Sequence, residues 1–261
     1  MSSLLEVKSL TVKYGGEGNI IENINMSVGN REIVGIVGES GSGKTTLIRA
    51  IINLLSFGGE IVSGEIIFNG ENIITYSRGK WSRIRRSDIC MVFQNPGASL
   101  NPIKKVGSQF VETIRSHMRI SRREAVERAE EVLGKMHFSD IPRIMSSYPF
   151  QLSGGMKQRV CIAMAMVLEP KLILADEPTS ALDVITQTQI IKELMELRDN
   201  FNTSIIIVTH NMGCAAYMAD KIVVMNEGKI VEFDYKENII ARPQTEYTKK
   251  LLDAVPELEV C

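Results

Sequence analysis

GESGSGKTT, residues 38–46, fits the pattern G-x-x-x-x-G-K-[ST], with Gly38, Gly43, Lys44 and Thr45 in the required places. It lies between an apolar, strand-like run at 33–37 and a helix-like run at 44–55. Its glycines let the backbone curl until successive N–H groups point at phosphate oxygens, and the helix that follows turns its positive end toward the same charge. In this reading Gly38, Glu39, Ser40, Gly41, Ser42, Gly43, Lys44, Thr45 and Thr46 form an anion cradle. Lys44 reaches the β and γ phosphates of a nucleotide, and the Thr45 hydroxyl ligates a magnesium ion. The plain alternative is a glycine-rich turn with a chance lysine.

The 261 residues suit one large α/β domain, or a core with a smaller insertion. Thirty Lys and Arg against 31 Asp and Glu leave a formal charge of -1, which argues against a broad nucleic-acid surface. Cys90, Cys161, Cys214 and Cys261 form no C-x-x-C pair. That fits a reducing compartment and opposes both a disulfide framework and a zinc site. The longest unbroken apolar stretch, 160–168, is far short of the roughly 20 residues of a membrane span. Residues 1–10 lack the basic start and apolar middle of a signal peptide. Work at a membrane therefore goes through a partner.

Leu5, Val7, Leu10 and Val12 alternate toward Tyr14, and a second strand at 20–28 follows the Gly15-Gly16 turn. Asn69-Gly70 marks a hairpin within 65–73. Arg78, Lys80, Arg83, Arg85 and Arg86 around Trp81 read as a solvated helix face, with a nucleic-acid patch as the alternative. A strand at 89–93 ends at Gln94, and the segment 95–102, NPGASLNP, breaks the pattern. From 106 to 136 the period turns helical: Ser121 and Glu124 form a capping box, and Val126, Ala129, Leu133 and Met136 share a face. Residues 95–148 read as an inserted helical subdomain. LSGGMKQR (152–159) then opens a helix whose apolar body, 160–168, calls for burial. A buried strand at 171–175 ends in Asp176-Glu177, a helix at 184–198 carries Ile190, Leu194 and Leu197, and a strand at 204–209 ends at His210. Strands at 222–225 and 229–233 flank a turn. Strands alternating with helices imply a mainly parallel core, with binding groups at the carboxyl ends of its strands.

Phosphoryl transfer to water needs a charge clamp, a metal, a group for the water and a sensor for the γ phosphate. Asp176 is placed to hold magnesium and Glu177 to act as general base; a simple acidic turn is the alternative. His210 can donate to a γ-phosphate oxygen, although a strand-end histidine also serves as a structural hydrogen-bonder. Gln94 can orient water, touch the metal and report nucleotide state to the helical insertion. Tyr14 is a candidate to stack on a purine, or a plain edge-strand aromatic.

Taken in order, GESGSGKT, Gln94, LSGGMKQR, LILADEP, Ser180 to Asp183 and His210 closely resemble the nucleotide-binding subunit of ABC transporters. The resemblance covers nearly the whole chain, and LSGG is its discriminating motif. It implies a RecA-like P-loop NTPase fold of α/β class, with an N-terminal antiparallel β subdomain and an inserted α-helical subdomain. One nucleotide-binding domain then spans the chain: 1–94 is the β-rich part with the phosphate loop, 95–152 the helical subdomain, 153–235 the second half of the core and 236–261 a helical tail. It further implies a Mg2+-dependent ATP hydrolase working as a head-to-tail dimer, homomeric or with a related subunit. Ser153, Gly154 and Gly155 of the opposing subunit cover the γ phosphate, and Asp183 carries contact across the interface. Closure on ATP and reopening after hydrolysis drive the cycle.

MVFQNPGASLNP, YPFQLSGGMKQR, ADEPTSALDV and PQTEYTKKLLDAVPEL resemble the peptide and nickel branch of bacterial importers. That branch implies two permease subunits, a soluble extracytoplasmic binding protein and a peripheral place on the cytoplasmic face of the membrane. Oligopeptide or dipeptide, nickel and metal-chelate cargo all fit it. Family tails commonly carry a histidine near Thr245-Glu246 and a longer cysteine-bearing extension. This sequence has no cysteine cluster before Cys261, so an iron–sulfur site is not expected. A soluble ATPase on ribosomes or DNA, the reading from another class, usually needs two cassettes or a coiled-coil or zinc-bearing insertion, and the sequence has none. An exporter cassette is disfavoured by the importer-like strings.

Overall fold

The computed structural model describes residues 3–16, 18–180 and 182–255. Cys261, with the expectation attached to it, lies outside them. In chain order the strands are β1 (Leu5–Tyr14), β2 (Asn19–Val28), β3 (Ile33–Val37), β4 (Gly59–Phe68), β5 (Glu71–Asn72), β6 (Ile89–Val92), β7 (Leu172–Asp176), β8 (Ser204–Thr209), β9 (Lys221–Asn226) and β10 (Lys229–Tyr235). The helices are α1 (Lys44–Ile51), α2 (Arg78–Ser87), α3 (Pro96–Ser99), α4 (Val106–His117), α5 (Arg122–Lys135), α6 (Ile141–Ser146), α7 (Gly154–Met166), α8 (Val184–Phe201), α9 (Met212–Met218), α10 (Lys236–Ala241) and α11 (Glu246–Asp253). They fall into two compact units, Met1–Ser82 with Ser204–Cys261, and Arg83–Thr203.

The first unit holds an antiparallel sheet in the order β2-β1-β4-β5 and a mixed one, β10-β9-β3-β8, in which β3 runs parallel to both neighbours. Every residue of β3 is buried, as a parallel strand covered on both faces requires. Its start is fastened by Asp220, whose Oδ2 accepts the Ile33 N–H at 2.7 Å. The Asn69-Gly70 turn, with φ of +51° and +84°, joins β4 to β5 in the primed geometry that hairpins favour. β1 is bulged at Ser9 (φ +46°), and Gly64 of β4 faces the bulge. A Cβ on Gly64 would lie 2.6 Å from three backbone atoms of residues 8–10, so glycine is required there.

Helix α1 ends at Ile51, short of the expected residue 55. Asn53 takes φ +53°, its N–H bonds the Ala50 carbonyl and the Leu54 N–H bonds that of Arg49, which together close a Schellman motif. In α2, Trp81 and Ile84 are buried while Arg78, Lys80, Arg83 and Arg86 are exposed, the solvated-face reading.

In the second unit β6 and β7 pair in parallel, and α4 to α6 pack against one another, with α4 and α5 also against α7. The Ser121–Glu124 capping box forms in both directions. Its core face is Ala125, Ala129, Val132 and Leu133, continued by Met136, whereas Val126 is only half-buried. The helix is therefore rotated by about one residue from the expected stripe at its start, the smaller Ala125 taking the packed place.

Candidate functional site

In the first unit Val37 lies opposite Thr209 across β3 and β8, so the loop after Val37 and His210 after Thr209 leave the same sheet edge. The loop is shaped by glycines that nothing else can replace. A Cβ on Gly38 would sit 2.2 Å from the Met225 carbonyl oxygen, and one on Gly43 (φ +96°) 2.5 Å from Ile21 Cγ2. Lys44, 5% exposed, curls into its own loop and donates to the carbonyls of Gly38 (2.8 Å) and Glu39 (2.6 Å) and to Ser42 Oγ (3.3 Å). Gly43 caps α1 without a side-chain bond, and the first turn carries no acid. No capping side chain and no acid therefore offsets the partial positive charge at the start of α1. Glu39 meets a residue that its sequence neighbourhood does not announce: its N–H donates to the Tyr247 phenol oxygen at 2.9 Å. Tyr14 is half-buried with its ring edge against Gly59, where a Cβ would come within 2.6 Å, and its hydroxyl accepts from Ser56 N–H at 3.4 Å. His210 is exposed.

In the second unit Val92 lies opposite Ala175, so Gln94 and the acids at the end of β7, Asp176 and Glu177, also lie at one edge. Gln94 Nε2 donates to Glu177 Oε2 at 3.0 Å. Asp176 is buried, and Glu177 holds a left-handed φ of +45°. That strained residue is fastened by Ser180, whose N–H and Oγ both donate to the Glu177 carbonyl, at 3.1 and 3.0 Å.

Ser153 caps α7 by accepting the Met156 N–H at 3.3 Å, and Ser153 and Gly154 are exposed. Asp183 caps α8, accepting the Thr186 N–H at 3.0 Å and the Thr186 hydroxyl at 2.7 Å. These two bonds hold its carboxyl below the usual range. Thr186 also abuts Gly155, where a Cβ would lie 2.5 Å from its methyl group. One side chain therefore touches both the LSGG turn and Asp183. Sequence reading gave Ser180 only a place in the Ser180 to Asp183 motif and gave Thr186 and Tyr247 no role, because the contacts of Thr186 with Gly155 and of Tyr247 with Glu39 join residues far apart in the chain.

Gln109 on α4 was passed over as well. Its amide bonds Asn101 through both N–H and C=O and takes the Lys104 carbonyl, so it orders the connection after α3. Phe93, Ile103 and Phe150 are exposed, Phe150 stacked on Tyr148 at 5.5 Å. Burial pushes the thiols of Cys90 and Cys214 up to about 11 and that of Cys161 up to about 12, so all three stay protonated near neutrality. Among the described residues no helix is long and apolar enough to cross a membrane.

Amide-lined loops between a parallel strand and a helix bind phosphate, and acids at strand ends serve its hydrolysis; a chain built with both is a phosphate-loop nucleoside triphosphatase. Comparison with known proteins narrows the class. The family model described as ABC transporter matches residues 21–180, and the chain belongs to that family as its ATP-hydrolysing cassette.

The chain is 41% identical to the oligopeptide transport ATP-binding protein OppD of Bacillus subtilis, over 99% of this chain and 74% of that one. It is 38% identical to the dipeptide transport ATP-binding protein DppD of Lactococcus lactis, over 98% and 74%. Among solved structures it resembles cbiO1 from Clostridium perfringens, part of the ABC transporter complex cbiONQ, with TM-score 0.82, 30% identity and coverage of 93% and 92%. It also resembles the ATP-binding cassette MJ0796 in a dimeric post-hydrolysis state bound to ADP and Pi, with TM-score 0.78, 29% identity and coverage of 89% and 98%. The α/β fold of this chain, with its antiparallel sheet and its parallel strands, is thus that of an ABC ATPase cassette, as the sequence led one to expect.

Proposed function

We propose that this chain energises a bacterial importer of oligopeptides or dipeptides, bound peripherally to two permease subunits on the cytoplasmic face of the membrane and served by an extracytoplasmic binding protein. The observation that carries the reading is identity of about 40% to peptide-transport ATP-binding proteins along virtually the full chain. The exposed Phe93 and Phe150, and Ile103 in the connection that Gln109 keeps ordered, offer apolar anchors for a permease helix.

In this proposal the loop amides and α1 hold the ATP phosphates, and Lys44 exchanges its carbonyl partners for β and γ oxygens. Tyr14 faces the base. Glu177, oriented by Gln94, takes the proton of the attacking water, and His210 donates to the γ phosphate. The hydroxyl of Thr45, the amide oxygen of Gln94 and the buried carboxylate of Asp176 are hard oxygen donors of the kind magnesium takes alongside phosphates, so the residues fit that ion. The ion neutralises charge on the phosphates when bound. Ser153, Gly154, Gly155 and Asp183 serve the nucleotide of a second cassette, and ATP closes the pair. The 95–152 segment acts as the helical subdomain of one nucleotide-binding domain.

Purification in mild detergent from the native membrane tests this: the tagged chain should bring two polytopic subunits with it. In proteoliposomes its ATPase activity should rise when peptide-loaded binding protein is added. Recovery with ribosomes or nucleic acid instead, or stimulation by nickel and not by peptide, overturns the assignment.

A further inference from the structure

We propose that α11 is a brace on the phosphate loop and that Tyr247 is a positioning residue for nucleotide binding. The inference rests on the reading of residues 38–46 as the ATP phosphate site. The peptide plane between Gly38 and Glu39 is pinned at both ends, its C=O by Lys44 Nζ at 2.8 Å and its N–H by the Tyr247 phenol at 2.9 Å. When Lys44 turns to phosphate oxygens, the first of these restraints goes. A peptide that follows glycine flips cheaply, because Gly38 has no Cβ to oppose rotation. The flip exchanges the directions of C=O and N–H, and so changes both the shape of the loop and the polar groups that it presents to a phosphate. Tyr247 is the contact that holds the plane once the lysine has moved.

The phenol is itself held in place. Thr245 caps α11 by accepting the Thr248 N–H at 3.1 Å, and Thr248 is fully buried. The Thr245 N–H donates to the carboxylate of Glu232 on β10. That carboxylate is buried, and its other oxygen has no hydrogen-bond partner among the described residues. α11 also packs against α9, the helix after His210. The brace therefore runs from β10 through α11 to the loop, and not through a loose chain end.

The test compares full-length wild type with Tyr247→Phe, which keeps the ring and removes only the oxygen, and with Lys44→Ala. Losing one neutral hydrogen bond predicts a rise of about two- to ten-fold in KM for ATP, with kcat at saturation within about two-fold. The melting midpoint without nucleotide should be unchanged. An unaltered KM in Tyr247→Phe, where Lys44→Ala does weaken ATP binding, overturns the brace alone. Undiminished ATP binding by Lys44→Ala overturns the phosphate-site reading and the brace with it. A loss confined to kcat, or a KM rise matched by a fall in the nucleotide-free midpoint, assigns Tyr247 another role and also overturns the proposal.

Discussion

Gln94 and Glu177, 83 residues apart, meet at 3.0 Å through the amide nitrogen of one and Oε2 of the other. The bond fixes the rotation of a carboxylate whose backbone is already held in the left-handed region by Ser180. Both features cost conformational freedom and both hold one side chain, the one proposed as general base.

Glu177→Gln preserves this geometry, because the new amide oxygen still accepts from Gln94 while the group loses its basicity. Turnover should fall by about a hundred-fold or more, the usual worth of a positioned base. ATP affinity should stay near that of wild type. Phosphate release and retention of labelled nucleotide measure the two effects, and near-normal hydrolysis would remove Glu177 from this role.

Gly155→Ala should destabilise the second unit by about 1–3 kcal/mol, the usual cost of overpacking. The added Cβ lands 2.5 Å from the Thr186 methyl, and Thr186 cannot rotate away without breaking its hydroxyl bond to Asp183. Thr186→Ser deletes that methyl and keeps the hydroxyl. The double variant Gly155→Ala/Thr186→Ser should therefore recover most of the loss in a urea melt. Equal destabilisation of the single and double variants would show that the methyl contact is not the cause.

Much of this was legible in the sequence, for physical reasons that can be named. β3, β7 and β8 were located closely because strands buried on both faces read as unbroken apolar runs, and the candidate site residues follow where those runs stop. The α5 capping box was legible because its two partners are only three residues apart. The end of α1 was not, since apolar Leu54 and Leu55 continue the helical pattern past the left-handed Asn53. Tyr247 with Glu39 was hidden too: 208 residues separate them, and no periodicity relates a phenol to a distant amide. For the same reason Thr186 gave no sign of touching Gly155, thirty-one positions earlier.

Arg159 on α7 and Glu193 on α8 form a nearly buried ion pair, 2.8 Å between Nη2 and Oε1. Arg159 also lies over the Phe138 ring and donates to the Met136 carbonyl. Removing one partner leaves the other charge uncompensated, so Glu193→Ala should cost about 3 kcal/mol in a urea melt. Burial raises the Glu193 pKa, and the opposing pull of Arg159 does not cancel it. A carboxyl raised in the folded state binds its proton more tightly there than in the unfolded chain. Its contribution to stability is fully present below the unfolded value of about 4.3 and is lost as pH rises through the folded one. Glu193→Gln cannot titrate and lacks this term. The melting midpoint of wild type should therefore gain on that of Glu193→Gln as pH falls from neutral toward 5. A wild-type midpoint that loses ground to the variant over the same range would mean that the pull of Arg159, and not burial, governs this carboxyl.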